Sequence, residues 1–343
     1  MAKEITIYDI ANQLQISPAT VSRALNNHPA INEKTKVLVN AKAEELGYRS
    51  NKFASNLRKQ STSTIGVIVP RLNSYIMSTV LAGMEKIANE EGFNLIISQS
   101  LESQKKEIAN AQTMFNSRVD GLLVSVAFDT DSFEHFQPFL KKKIPLIFFD
   151  RILENNNCPS IVIDNTKAGY EATNHLIQQG RSNILHITGN LQRNVYADRL
   201  KGYQQALLEN EIPFQKEFLW ETALNLEAGK EVAQRIKAMP NRPDALFIAS
   251  DLCAVACISA LKEMGIDVPN DISVVGFNND PVAQVIAPKL TTIHYPAKEM
   301  GEIAVKSMIN HLKGTMNLDK TNAITLRSEL IVRESSRIIE HSA

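Results

Sequence analysis

The sequence predicts an α/β protein: a two-lobed body of parallel sheets with helices on both faces, preceded by a small all-α helix-turn-helix domain. Three observations carry this expectation. The first fifty residues hold three short segments of helical period, each opened by a capping residue. From Ile65 onward short apolar runs alternate with longer helical patterns, the signature of repeated βα units. The charge is also divided. The whole chain carries 37 Lys and Arg against 37 Asp and Glu, yet residues 1–60 hold nine cations against five anions, so a net +4 at the start is balanced by −4 in the remainder. A solvated surface can also gather such an excess, but basic charge on one small module is what contact with phosphates requires.

Thr6 is placed to cap a first helix whose apolar positions Ile7, Ile10, Ala11 and Leu14 share one face. Only Gln15 and Ile16 separate it from Ser17 and Pro18, a cap followed by a residue preset for the first helical position, so a second helix starts after a tight turn. Val21, Ala24 and Leu25 form its packing face, leaving Pro18, Ala19, Ser22, Arg23 and Asn26 outward. Two helices joined this way can place the start of the second in a major groove, where Arg, Ser or Asn reads base edges; an ordinary helix pair is the alternative. Asn32 caps a third helix with Val39, Ala43 and Leu46 on one side, stopped by Gly47 and Tyr48.

Residues 51–60, NKFASNLRKQ, are too few to hold a helix in water alone and are expected to order only against a partner such as a minor groove or a second copy of the chain. Leu57 in this basic stretch has two readings: a wedge between base pairs, or a hydrophobe covering the next domain.

The roughly 280 residues that follow suit two lobes better than one small core. Strands are expected at 65–70, 94–99, 121–126, 145–149, 161–163, 184–188, 245–249 and 272–277, with helices at 79–91, 166–179, 195–209, 226–238 and 251–264. Parallel sheets bind ligands beyond the carboxyl ends of their strands. Those ends carry no GxGxxG, no complete Walker loop around Gly229 and Lys230, no GxSxG elbow and no HExxH, so no enzyme is expected. The seven histidines are scattered, and Cys253 with Cys257 lacks two further ligands for a metal. Neither metal nor cofactor is therefore expected. Three cysteines, a polar start and no apolar run of membrane length point to the cytoplasm. The strand ends do carry groups suited to a small hydroxylated ligand: Asn73 and Tyr75, Asp150 and Arg151, Arg193 and Arg199, Phe247, Ser250 with Asp251, and Asn278.

Residues 6–60 closely resemble the headpiece and hinge of the LacI family of bacterial transcription regulators, through T-I-x-D-I-A, S-x-x-T-V-S-R-A-L-N, E-E-L-G-Y and N-x-x-A-x-x-L. The resemblance implies that Ala19, Ser22 and Arg23 face bases or neighbouring phosphates, that Ser17, Thr20 and Asn26 help hold the DNA backbone, and that Ala54 and Leu57 enter the minor groove. Thr6, Tyr8, Pro18, Asn32 and Asn51 complete the implied DNA-binding set. Pro18 and Ala19 offer shape and a methyl group but no hydrogen bonds, so Arg23 carries more of the readout. The implied operator is a near-palindrome with a central CG step.

The body resembles the type I periplasmic-binding-protein fold, through G-V-I-V-P, V-D-G-L-L-V, F-F-D-R, I-D-N, A-S-D, V-V-G-F-N-N and L-T-T-I. This implies a headpiece at 1–49, a hinge at 50–62, one lobe from 63–162 plus 292–323 and another from 163–291 plus 324–343. Effector contacts would fall on Asn73, Tyr75, Asp150, Arg193, Arg199, Phe247, Ser250 and Asn278; the last departs from the family's commoner Asp. The F-F-D-R segment favours a sugar over a purine, with a purine or a phosphoprotein corepressor as alternatives. The implied protein is a repressor on the bacterial nucleoid, a homodimer on double-stranded DNA that answers to a small molecule. A solute-binding receptor would instead show a signal peptide and no headpiece.

The last residues, RESSRIIEHSA, contain no leucine heptads, so a dimer is expected rather than a tetramer. Sedimentation equilibrium at micromolar concentration should return twice the chain mass; a stable monomer or tetramer would contradict this.

Overall fold

The computed structural model describes residues 5–48, 61–153 and 157–337. Asn51, Ala54 and Leu57 lie outside the described residues, as does most of the proposed hinge. The chain divides into two compact units, Met1–Thr62 and Ser63–Ala343.

In the first unit, helices α1 (Ile7–Leu14), α2 (Pro18–Leu25) and α3 (Glu33–Glu45) surround a core of Ile10, Ala11, Val21, Ala24, Val39 and Ala43. Each start is set by its cap. Thr6 and Asp9 form a capping box, with Thr6 N donating to Asp9 Oδ2 at 2.8 Å. Ser17 Oγ accepts from Thr20 N at 3.0 Å, and Asn32 Oδ1 accepts from Thr35 N at 2.8 Å. Gln15 turns the chain out of α1 at φ 52°, and Gly47 ends α3 at φ 66° while Tyr48 N donates back to Ala43 O at 2.8 Å.

The second unit contains two six-stranded sheets. The first is built from β1 (Thr64–Val69), β2 (Asn94–Gln99), β3 (Gly121–Val124), β4 (Leu146–Phe149), β5 (Ser160–Ile163) and β11 (Ala323–Leu326), in the order β11-β5-β4-β3-β1-β2, all parallel. The second is built from β6 (Ile184–Thr188), β7 (Leu219–Glu221), β8 (Ala245–Ile248), β9 (Ser273–Asn278), β10 (Thr291–His294) and β12 (Glu329–Ile331), in the order β12-β10-β9-β8-β6-β7. Only β12 runs antiparallel among the described strands.

Parallel neighbours need crossovers, and the helices supply them. They are α4 (Tyr75–Glu90), α5 (Gln104–Asn116), α6 (Gln137–Lys141), α7 (Asn165–Gln178), α8 (Asn194–Glu209), α9 (Leu226–Ala238), α10 (Asp251–Glu263), α11 (Val282–Val285) and α12 (Ala297–Leu312). Alternation along the strands feeds both faces. In β1, Ile65, Val67 and Val69 join Val80, Met84, Ala304 and Met308, whereas Ile68 joins Met114, Phe136 and Phe148 on the opposite face. In β8, Phe247 lies in one cluster and Leu246 with Ile248 in another, against α9 and α10.

The chain passages expected near 162, 291 and 323 shift slightly. Strand 160–163 ends one residue after the first expected passage, and strands 291–294 and 323–326 pair within the second and first sheets, so the later two passages come three residues after the expected positions. Among the described residues no helix is long and apolar enough to cross a membrane.

Close helix crossings depend on glycine. A Cβ on Gly202 of α8 would collide with the Thr166 carbonyl oxygen of α7, and one on Gly301 of α12 with the Val80 carbonyl of α4. The core beneath the second sheet also holds two carboxyl groups. Asp251 Oδ1 accepts from Thr292 Oγ1 at 2.7 Å and Oδ2 from Asp280 N at 2.8 Å, while Asp280 Oδ1 is buried without a hydrogen-bond partner. Burial pushes Asp251 up to about 7 and Asp280 up to about 6.

Two outcomes follow. Gly202→Ala, normally favourable inside a helix, should here cost about 1–3 kcal/mol, seen as a lower midpoint in urea unfolding of the body. The raised folded values of Asp251 and Asp280 mean that the folded state holds protons the unfolded chain, near 3.8, has released. Their contribution is therefore full below that value and is lost as pH rises through about 6 to 7. Asp280→Asn should gain stability relative to the parent chain as pH rises from about 4 to about 6 and show no further gain above about pH 7 in the same assay; an unchanged difference across the lower range would exclude this linkage.

Candidate DNA-reading face and ligand cleft

Helix α2 turns Val21 and Ala24 into the core, which forces the rest of its surface outward. Ala19, Arg23 and Asn26 are exposed, and Pro18, Thr20 and Ser22 are half-buried. Several expected contact residues are committed to the helix itself. Ser17 Oγ lies 2.8 Å from Thr20 Oγ1 as well as capping the helix, and Asn26 Nδ2 donates to Ser22 O at 2.7 Å. Thr6 and Asn32 are exposed cap residues, and Tyr8 is 65% exposed on α1. Arg23 is thus an exposed cation on a helix whose opposite side is buried.

The second unit brings the carboxyl ends of its two sheets together, and specific contacts join them. After β4, the Asp150 carbonyl accepts from Asn194 Nδ2 at 3.2 Å, and Ile152 N donates to Asn194 Oδ1 at 3.0 Å. Asn190 Nδ2 reaches the Phe128 carbonyl at 3.3 Å. Phe128 and Tyr196 have ring centroids 6.1 Å apart, and the Arg151 guanidinium lies 4.1 Å from the Phe128 centroid while Arg151 Nη1 pairs with Glu102 at 2.9 Å. None of Phe128, Asn190, Asn194, Tyr196 or Glu102 is expected from the sequence as a ligand-cleft residue. Their common signal is position: each follows the carboxyl end of a strand or opens the next helix.

Asp150 is buried, with Oδ1 accepting from Tyr295 Oη at 2.8 Å and Oδ2 from Ser125 Oγ at 3.4 Å. Burial, and then Asp150 itself, drives the Tyr295 hydroxyl well above its usual range. Arg199 is buried, its Nε donating to Asn165 Oδ1 at 2.9 Å and its guanidinium lying 3.5 Å from the Phe277 centroid. Arg193, the residue before α8, is also buried, and its Nε has no hydrogen-bond partner. Burial lowers the pKa of both arginines, and for Arg193 the Arg151 charge adds to it.

The remaining expected contacts are placed differently. Asn73 and Tyr75 are exposed where α4 begins, Tyr75 at 50%. Ser250 Oγ caps α10 by accepting from Cys253 N at 3.5 Å. Asn278 ends β9 at φ 122° and hydrogen-bonds Asp280. Phe247 must be corrected: it is 0% exposed and stacked 4.5 Å from the His186 ring, so it has no face to offer a ligand. His186 Nδ1 donates to the Phe247 carbonyl at 3.0 Å, and burial holds this imidazole down to about 4, neutral and structural. Burial likewise pushes the Cys253 thiol up to about 12, that of an inert core residue. Among the described residues no group of three His, Cys, Asp or Glu could hold a metal ion.

Comparison with known proteins locates both units. Residues 6–51 match bacterial regulatory proteins of the lacI family, and residues 173–336 match the periplasmic binding protein-like domain. The chain is 31% identical over 309 residues to catabolite control protein A of Priestia megaterium, covering 90% of this chain and 92% of that protein. It is 31% identical over 330 residues to the ribose operon repressor of Haemophilus influenzae, covering 96% and 98%. Its fold matches the crystal structure of the lac repressor dimer bound to operator and the anti-inducer ONPF with a TM-score of 0.87, at 24% identity, over 97% of this chain and 99% of that one. With a capped helix pair at its start, two largely parallel sheets in the unit that follows in sequence and relatives aligned along nearly its whole length, the chain belongs to the lacI family of bacterial regulatory proteins, DNA-binding transcription regulators with a ligand-binding domain and not enzymes.

Proposed function

We propose that the protein is a homodimeric repressor that reads a near-palindromic operator through α2 and answers to a carbohydrate held between its two sheets. The observation that carries the DNA part is the exposure of Arg23 on a helix whose opposite face is sealed into the core. Arg23 is the reader, with Ala19 and Ser22 beside it. Ser17, Thr20 and Asn26 stiffen the helix and meet phosphates, and Thr6, Tyr8, Pro18 and Asn32 border the same face. Asn51, Ala54 and Leu57 belong to this reading on the sequence alone, with Leu57 as the minor-groove wedge.

The carbohydrate is supported by the chemistry of the cleft and by a relative named for the ribose operon. Asp150, Asn194, Arg193 and Arg199 supply acceptors and donors for hydroxyls, and the Phe128 and Tyr196 rings supply apolar surface. Asn73, Tyr75, Ser250 and Asn278 complete the set. The lobe contacts made by Asn190 and Asn194 are the two-state element: a ligand that binds one arrangement of the lobes more tightly shifts their closure and, through it, the paired DNA-reading units.

Arg23→Ala should weaken operator binding by about 1–3 kcal/mol in a gel shift while binding to random DNA, measured at the same salt concentration, falls much less. Equal loss on both DNAs would remove base readout by Arg23.

A further inference from the structure

Taking the body as the effector receptor proposed above, we infer that its ligand is anionic: a small polyhydroxy compound bearing a carboxylate or a phosphate, whose negative group is received by Arg193, with Arg199 as the second positive charge. Both side chains are more than nine-tenths buried, at 6% and 4% exposure. Among the described residues neither lies within ion-pair distance of a carboxylate. Arg199 donates from Nε to a neutral amide and from Nη1 to the Ala249 carbonyl at 3.5 Å and lays its face on Phe277, while Arg193 Nε has no acceptor. A buried charge that lacks a carboxylate at ion-pair distance leaves room for something bound to supply the pair.

The surrounding carboxylates are otherwise engaged. Glu107 accepts from Ala127 N, Thr130 Oγ1 and His135 Nε2 at 2.8, 3.0 and 2.9 Å. Glu102 is paired with Arg151, and Asp129 and Asp131 accept from Gln104. Asp150 is held by Tyr295 and Ser125, and position 278 carries an amide. Arg193 belongs to the lobe of the second sheet, and the charges that act on it, Arg151 against its cationic form and Glu107, Asp129 and Asp131 in favour of it, belong to the lobe of the first. It also stands at the start of α8, a 16-residue helix without a side-chain cap, whose amide dipoles add to the positive field.

The test is thermal melting of the full chain at constant ionic strength, in chloride alone or with phosphate, malonate, gluconate, glucose 6-phosphate or glucose. Phosphate or malonate should raise the melting temperature above the chloride value, by about 2–4 °C at ten times its dissociation constant, and Arg193→Gln should abolish that rise. Arg193→Lys, which keeps the charge, should retain part of it and guards against a misfolded glutamine variant. Gluconate or glucose 6-phosphate should exceed glucose, and whichever does so identifies carboxylate or phosphate as the anion. No rise, an equal rise in parent and Arg193→Gln, or glucose stabilising as well as its acidic counterparts would overturn the inference. A failure of the regulator reading shows separately, as loss of operator preference in the absence of any added anion.

Discussion

Parallel strand pairing is the constraint from which most of this protein follows. A parallel neighbour cannot be reached by a tight turn, so most strands of the body are followed by a helical crossover, and these crossovers cover both faces of each sheet. Ile65, Val67 and Val69 on one side and Ile68 on the other are the sequence trace of that double burial. With both faces sealed by helices, polar side chains gather at the strand ends. Asp150, Arg193, Ser250 and Asn278 occupy such ends, and the two lobes meet through Asp150 and Asn194 there.

The N-terminal unit obeys a different economy. Its six fully buried apolar residues are few, and the helices are short, so the ends of each helix matter as much as the core. Thr6 with Asp9, Ser17 and Asn32 satisfy amide groups that a longer helix would satisfy itself.

The legibility of the fold was uneven for physical reasons. The three N-terminal helices and their caps were readable because cap residues and apolar period agree at each one. Eight strands were readable as apolar runs, and helix 226–238 was placed to the residue. Strands 219–221, 291–294, 323–326 and 329–331 were not, being short or carrying Thr, Glu and Trp in place of an apolar run. Helices 104–116 and 297–312 were also missed; the first is mostly polar with few apolar anchors. The sequence places Arg193, Arg199 and Asp150 after strand ends, where the structure has them, whereas Phe247 lies in the core because strand alternation turns it inward. Tyr295 and Glu102 reach the cleft through contacts distant in sequence, such as that from residue 295 to residue 150, which no local pattern reveals.

The late return of the chain has a consequence for biosynthesis. The first sheet is finished by β11 and the second by β12, both from residues 323–331, and α12 enters the first lobe's core only at residues 297–312. The three-helix unit, by contrast, has its whole core within the first 48 residues. During synthesis it can close while most of the chain is still unmade, whereas the first sheet lacks its last strand until residue 326 is made and the second until residue 331. A nascent chain therefore displays a DNA-binding unit well before it owns a complete sensor. Chains interrupted before residue 323 would lack edge strands in both lobes at once.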